Sequence, residues 1–181
     1  MTARLGKREW IDAGLHALSE DGVEAVRVER LAAMLHVTKG SFYWHFKDRR
    51  TLLEAMLETW RSRATNAIID EVEAKGGGAI ARLRTLSTIV SRIDGRLDRA
   101  IRVWAGQDEM ARAALDEIDR RRLDYLASLF AELSFAPREA VARARLVYHA
   151  LIGQFAMGER GGRAERLAEH LDVVIPMLVR K

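Results

Sequence analysis

Only two prolines, Pro137 and Pro176, stand in this chain of 181 residues, so almost nothing in it breaks a helix by removing a backbone donor. Long stretches rich in Ala, Leu, Arg and Glu carry the residues that lose least on entering a helix. Apolar side chains recur at spacings of three and four, the period of one helical face. The predicted class is therefore all-α. With 49% hydrophobic and 31% charged residues, the chain has enough apolar material to bury a core and does not match a disordered composition.

The breaks come mainly from glycine. Trp10, Ile11, Ala13, Leu15, Ala17 and Leu18 line a first helix from about residue 7 to 20, which Asp21-Gly22 ends. Val28, Leu31, Ala32 and Leu35 mark a second helix of about two and a half turns, and Thr38 is placed to cap a third that runs to about Phe46. Asp48 can cap a fourth, whose stripe of Leu52, Leu53, Met56, Leu57, Trp60, Ala64 and Ile68 reaches towards Lys75. Gly76-Gly77-Gly78 forces a loop. Further helices are predicted at about 79–92, 96–107, 109–133, 138–158 and 163–179, with breaks at Asp94-Gly95, Pro137 and Gly161-Gly162. The triplet Arg120-Arg121-Arg122 reads as a solvated helix face with one arginine turned inward.

A short helix, a tight turn and another helix within the first fifty residues fit a helix-turn-helix, although helix pairs of this spacing occur in many all-α folds. The third helix narrows the choice. Phe42 and Phe46, four apart, can anchor it on the first two helices, which leaves Lys39, Ser41, Tyr43, Trp44 and His45 with nothing evident to pack against. Gly40 costs a helix about 1 kcal/mol relative to alanine, so a glycine there suggests close approach of the backbone to something else, and DNA is the economical candidate. Lys39, Lys47, Arg49 and Arg50 face a single acid, Asp48, in this stretch. On this reading Thr38 and the helix start offer amides to a phosphate, Tyr43 and His45 donate to the DNA backbone, and Arg49 reaches a neighbouring phosphate. Lys39, Ser41 and Trp44 are left for base edges or thymine methyls.

The run Val37-Thr38-Lys39-Gly40-Ser41-Phe42-Tyr43-Trp44-His45-Phe46, with Gly22, Leu31-Ala32 and Leu52-Leu53 around it, resembles the TetR family of regulators over about the first sixty residues. A looser resemblance to the regulatory half of one branch of that family runs from about Ile101 to Gly153, through Arg102, Trp104, Asp119, Arg122, Tyr125, Leu126, Phe130 and Tyr148. The resemblance implies a nine-helix architecture, with a helix-turn-helix head at about residues 1–50. A connecting fourth helix of about 49–75 follows, and residues 51–181 form a helical ligand-binding and dimerisation domain. It implies a ligand-released repressor that binds a palindromic operator as a homodimer.

Three departures from the family's pattern stand out. His36 occupies the turn position where the family usually has glycine, and holding it left-handed costs on the order of 1 kcal/mol. Val26-Arg27-Val28 replaces the usual threonine or serine at the start of the second helix, removing a cap, with Arg27 free to meet a phosphate instead. Arg49 replaces a lysine.

In the C-terminal half Val141, Ala144, Tyr148, Leu151 and Phe155 form one stripe, widened by Ala140, Val147 and Ile152, and Leu167, Leu171, Val174, Ile175 and Leu178 form another. They suit either an intramolecular core or, as the resemblance implies, a four-helix interface between two copies through about 138–158 and 163–179. A small apolar or amphipathic ligand is expected among helices four to eight, with Trp104, Met110, Tyr125, Phe130 and His149 as wall candidates, each of which also suits a plain core position.

Other classes fare poorly. The absence of cysteine excludes disulfides, thiolate metal sites and a cysteine nucleophile, and suits a reducing cytoplasm, where a DNA-bound regulator would lie with the nucleoid. The histidines, His16, His36, His45, His149 and His170, are scattered without metal-ligand spacing, Ser41 has no evident base, and Gly76–Gly78 lacks the lysine of a phosphate loop. No catalytic residue, metal or cofactor is expected, nor a membrane span. The second rival is a helical interaction protein whose head has no affinity for DNA.

Overall fold

The computed structural model describes residues 5–157 and 173–180, and these contain helices and turns but no strand. In chain order the helices are α1 (Lys7–Asp21), α2 (Val28–Met34), α3 (Lys39–Phe42), α4 (Arg49–Arg61), α5 (Ala67–Lys75), α6 (Ala79–Ser91), α7 (Arg96–Ala105), α8 (Glu109–Glu132) and α9 (Pro137–Met157). A 3-10 turn (Val23–Ala25) precedes α2 and a π-helical turn (Ser62–Asn66) separates α4 from α5. Residues 173–178 are helical. Most of the helix predicted at 163–179, including Leu167, Leu171 and His170, lies outside the described residues. None of the described helices is long and apolar enough to cross a membrane.

The chain gathers into two compact units. One contains the chain up to Ser62 together with Arg96–Asp116, and the other contains Arg63–Gly95 with the chain from Glu117 onward. In the first unit, α1 begins at Gly6, whose amide donates to Glu9 Oε2 over 2.8 Å, and ends at Gly22 with φ +80°, a conformation glycine holds without a Cβ penalty. Its buried face carries Trp10, Gly14, Leu15, Ala17 and Leu18. Gly14 allows α1 and α4 to meet closely, since a Cβ there would stand 2.6 Å from the sulfur of buried Met56. α7 joins this unit through buried Ile101 and Trp104, and Arg96 Nη1 bonds Glu20 Oε1 at 2.7 Å.

The second unit packs Leu83 of α6 with Leu126, Leu129 and Phe130 of α8 and Ala140, Ala144 and Tyr148 of α9. Arg143 ties residues 173–180 to α9: its guanidinium lies 4.0 Å from the Phe135 ring and donates to the carbonyls of Leu178 (2.8 Å) and Arg180 (3.2 Å). The stripe read on α9 is divided. Ala140, Ala144, Tyr148 and Phe155, with Ile175, are buried in the chain's own core, whereas Val141, Leu146, Val173, Val174 and Met177 are exposed.

Two helices differ from their sequence expectation. The predicted fourth helix is interrupted at Ser62–Asn66, where the wider π turn leaves a carbonyl without its usual partner. Arg122 donates into this turn, from Nη2 to the Ala64 carbonyl (3.2 Å) and from Nε to the hydroxyl of buried Thr65 (3.0 Å). Arg122 is thus the inward arginine of its triplet. The α-helical part of α3 stops at Phe42 and the chain continues as a turn, with Phe42 O accepting from the amides of His45 (2.9 Å) and Phe46 (3.0 Å).

Candidate nucleic-acid interface

The exposed face of the α3 turn is fixed from below. Phe42 and Phe46 are buried, stacked with ring centroids 5.4 Å apart, and Trp10 of α1 meets Phe42 edge-on at 5.2 Å. Lys7 Nζ lies 5.3 Å from the Phe46 ring. With the two phenylalanines turned inward, Trp44 is left 85% exposed and Tyr43 57% exposed, Lys39 and Lys47 are exposed, and Ser41 and His45 are half-buried. Gly40 is exposed, and a Cβ added there would meet only Thr38 Oγ1, at 3.7 Å, so nothing in the protein itself requires a glycine.

The turn before α3 is held by His36, whose φ of +53° is the left-handed conformation expected of a residue in glycine's place. The amides of Leu35, His36 and Val37 bond back to Leu31, Ala33 and Ala32, which secures this conformation. Thr38 takes the N-cap position of α3 with extended backbone, but its hydroxyl makes no capping bond, in contrast to the expectation. The Ser41 amide, one of the two such a hydroxyl could accept from, is bonded to the Thr38 carbonyl at 3.0 Å. At the start of α2 Arg27 is exposed, caps nothing with its side chain, and donates from Nε to the Glu24 carbonyl at 2.9 Å.

Arg49 has a different position from the one its charge suggested. Its Nε donates to the Val26 carbonyl and its Nη2 to that of Val23, both at 2.6 Å, so two of its donors hold α4 to the 3-10 turn instead of facing outward. Asp48 caps α4, accepting from the Thr51 amide at 2.8 Å and its hydroxyl at 2.9 Å. These bonds hold the Asp48 carboxyl below the usual carboxylate range. Sequence reasoning overlooked Glu29, in the first turn of α2, whose carboxylate accepts from Lys39 Nζ. That bond keeps the Glu29 carboxyl below its ordinary range and raises the Lys39 ammonium above its own. An acid ten residues ahead of the lysine, across a tight turn, was the available signal.

The candidate ligand residues are divided between the two units. Trp104 is buried and Met110 half-buried in the first unit, while Phe130 is buried, Tyr125 half-buried and His149 exposed in the second. The Tyr125 hydroxyl donates to Glu73 Oε1 at 2.6 Å, and burial, then this bond, raises its pKa above the ordinary range of a phenol. The second unit also holds a polar cluster: the Tyr148 hydroxyl donates to Asp119 Oδ1 at 2.6 Å and accepts from Arg122 Nη1 at 3.2 Å. Burial, opposed by the Arg122 charge, pushes the Tyr148 pKa up to about 12.

Residues 11–56 match the family described as bacterial regulatory proteins, tetR family. Over 71 residues the chain is 38% identical to the class G tetracycline repressor protein of Vibrio anguillarum, a match that takes in 39% of this chain and 34% of the repressor. The chain thus spans about a third of the length of that curated relative. Among solved structures, a TetR-family transcriptional regulator from Streptomyces coelicolor shares the fold with a TM-score of 0.78 at 18% identity, covering 96% of this chain and 95% of that one. A transcriptional regulator from Saccharomonospora viridis in complex with choline gives a TM-score of 0.78 at 16% identity over 94% of this chain and 95% of its own.

Proposed function

We propose that the chain, whose residues 11–56 match the tetR family of bacterial regulatory proteins, is a DNA-binding transcriptional regulator of that family, acting as a repressor that a small ligand releases from its operator. The observation that carries this reading is the outward face of the α3 turn. Trp44, Tyr43 and Lys39 are exposed around an unobstructed Gly40, on a support built from Phe42, Phe46 and Trp10. Covering Trp44 and Tyr43 in a duplex groove takes their exposed rings out of water, and the Lys39 ammonium beside them is a donor suited to guanine. Ser41 and Trp44 face bases, and Thr38, Tyr43, His45, Lys47 and Arg27 meet phosphates.

The chain works as a homodimer in which a head of about residues 1–50 reads DNA and residues 51–181 pair and take up the ligand. Pairing covers the apolar side chains that α9 and residues 173–178 leave exposed, Val141, Leu146, Val173, Val174 and Met177. Two heads related by a two-fold axis then meet successive major grooves about 34 Å apart on a palindromic site. The effector is small and apolar or amphipathic; the choline complex of a regulator with this fold supports a small-molecule role. It acts by binding one conformer better than another, which changes the spacing of the heads. The protein works in the cytoplasm, on the nucleoid.

Gel-shift titration against genomic fragments over a range of salt tests the reading. A few fragments should be retained selectively, with affinity falling about 0.9 decades per decade of salt for each phosphate contacted. No retarded fragment at low salt would overturn it in favour of a helical interaction protein.

A further inference from the structure

α2 and α3 present opposite charges side by side on the exposed face. Lys39, the first residue of α3, donates from Nζ to Oε1 of Glu29 in the first turn of α2, and both side chains are more than half exposed. A carboxylate on a surface that meets a polyanion repels phosphate, and an exposed ion pair contributes little to stability, so the contact is poorly explained by folding alone. A base edge offers a better match. In the major groove a C·G pair shows one donor, cytosine N4–H, beside two acceptors, guanine O6 and N7. An A·T pair instead flanks its single donor with acceptors on both sides, which a carboxylate meets with repulsion.

We propose that Glu29 and Lys39 together read one C·G base pair in each half-site, the Glu29 carboxylate accepting from cytosine N4–H and the Lys39 ammonium donating to guanine O6 or N7. The ion pair sets the two side chains next to each other before DNA arrives, so less freedom is lost on binding. Open space at Gly40, the neighbour of Lys39, lets the backbone approach closely enough for both side chains to reach one pair. The proposal rests on the DNA-binding reading above and adds a specificity residue, Glu29, to it.

The test uses the full chain and duplexes randomised over about two helical turns, with selected pools sequenced for the wild type, Glu29→Ala and Lys39→Ala. Each consensus is then titrated with its single base-pair substitutions at fixed salt. The wild type should prefer C·G by about tenfold or more at one position per half-site. Both variants should lose that preference, to about twofold or less, at the same position while keeping the others. Thermal melts establish that the variants are folded.

If Glu29→Ala keeps every preference, or tightens binding to all duplexes by one common factor, Glu29 only repels DNA and the proposal fails while the DNA-binding reading stands. A folded wild type that enriches no sequence sinks that reading and this proposal together.

Discussion

Replacing Trp44 by alanine separates what the exposed face does for folding from what it does for binding. A tryptophan side chain offers up to about 250 Å² for burial. At 85% exposure Trp44 leaves roughly 200 Å² of this in water, so its removal should change unfolding free energy by no more than about 0.5 kcal/mol. If a groove covers about 30% of that area, roughly 60 Å², the loss on truncation is about 1.5 kcal/mol per head at about 25 cal/mol per Å². Two heads on one operator double it to about 3 kcal/mol, a weakening of roughly a hundredfold. Denaturant melts and fluorescence anisotropy on a selected duplex, at one salt concentration, measure the two quantities. A variant that loses 2 kcal/mol of stability would show that the indole is part of the core, and one that binds within twofold of the wild type would show that the indole does not touch DNA.

Relief of the left-handed turn should make His36→Gly more stable by about 0.5 to 1 kcal/mol, and β-branched His36→Val should fall about 1 to 2 kcal/mol below the glycine variant in the same melts. Equal stabilities would mean the turn rearranges freely. Gly95 has φ +61°, and a Cβ there would stand 2.3 Å from Phe155 Cδ1 and 2.6 Å from Cγ, so Gly95→Ala should cost about 2 to 5 kcal/mol from strain and overpacking together. A loss below about 1 kcal/mol would show that the loop moves aside. Because the folded Tyr148 pKa is raised to about 12 from an ordinary 10.0, the unfolded chain loses this proton first. The stabilisation is complete below pH 10 and disappears as pH rises towards 12, amounting to about 2 to 3 kcal/mol, so the wild type should lose that much more than Tyr148→Phe across this window. Parallel pH profiles would place the Tyr148 hydroxyl in water.

Much of the head was legible because its determinants are local. The four-residue spacing of Phe42 and Phe46 is enough to bury both and to leave Tyr43 and Trp44 outside, and the family resemblance, which puts His36 where glycine is usual, anticipates its positive φ. Contacts made by chain return were not legible. Nothing near Arg49 in the sequence shows that the carbonyls of Val23 and Val26 lie within its reach, and its charge beside an exposed turn suggests a phosphate instead. The same holds for Arg96 and Glu20, 76 positions apart, which draw α7 onto α1. The π turn at Ser62–Asn66 receives donors of Arg122 from 57 and 58 residues away, and an unbroken apolar stripe gives no sign of it. The hydroxyl of Thr38 makes no cap, and in so short a helix the Ser41 amide, one of the two a cap could use, is bonded to the Thr38 carbonyl.

The Arg49 guanidinium limits where this protein can flex. By fastening the first turn of α4 to two carbonyls of the preceding 3-10 turn, it closes off the obvious hinge between the fourth helix and the segment that offers Trp44. A tilt or slide of α4 is therefore resisted by the segment that precedes α2, to which these two bonds tie its first turn.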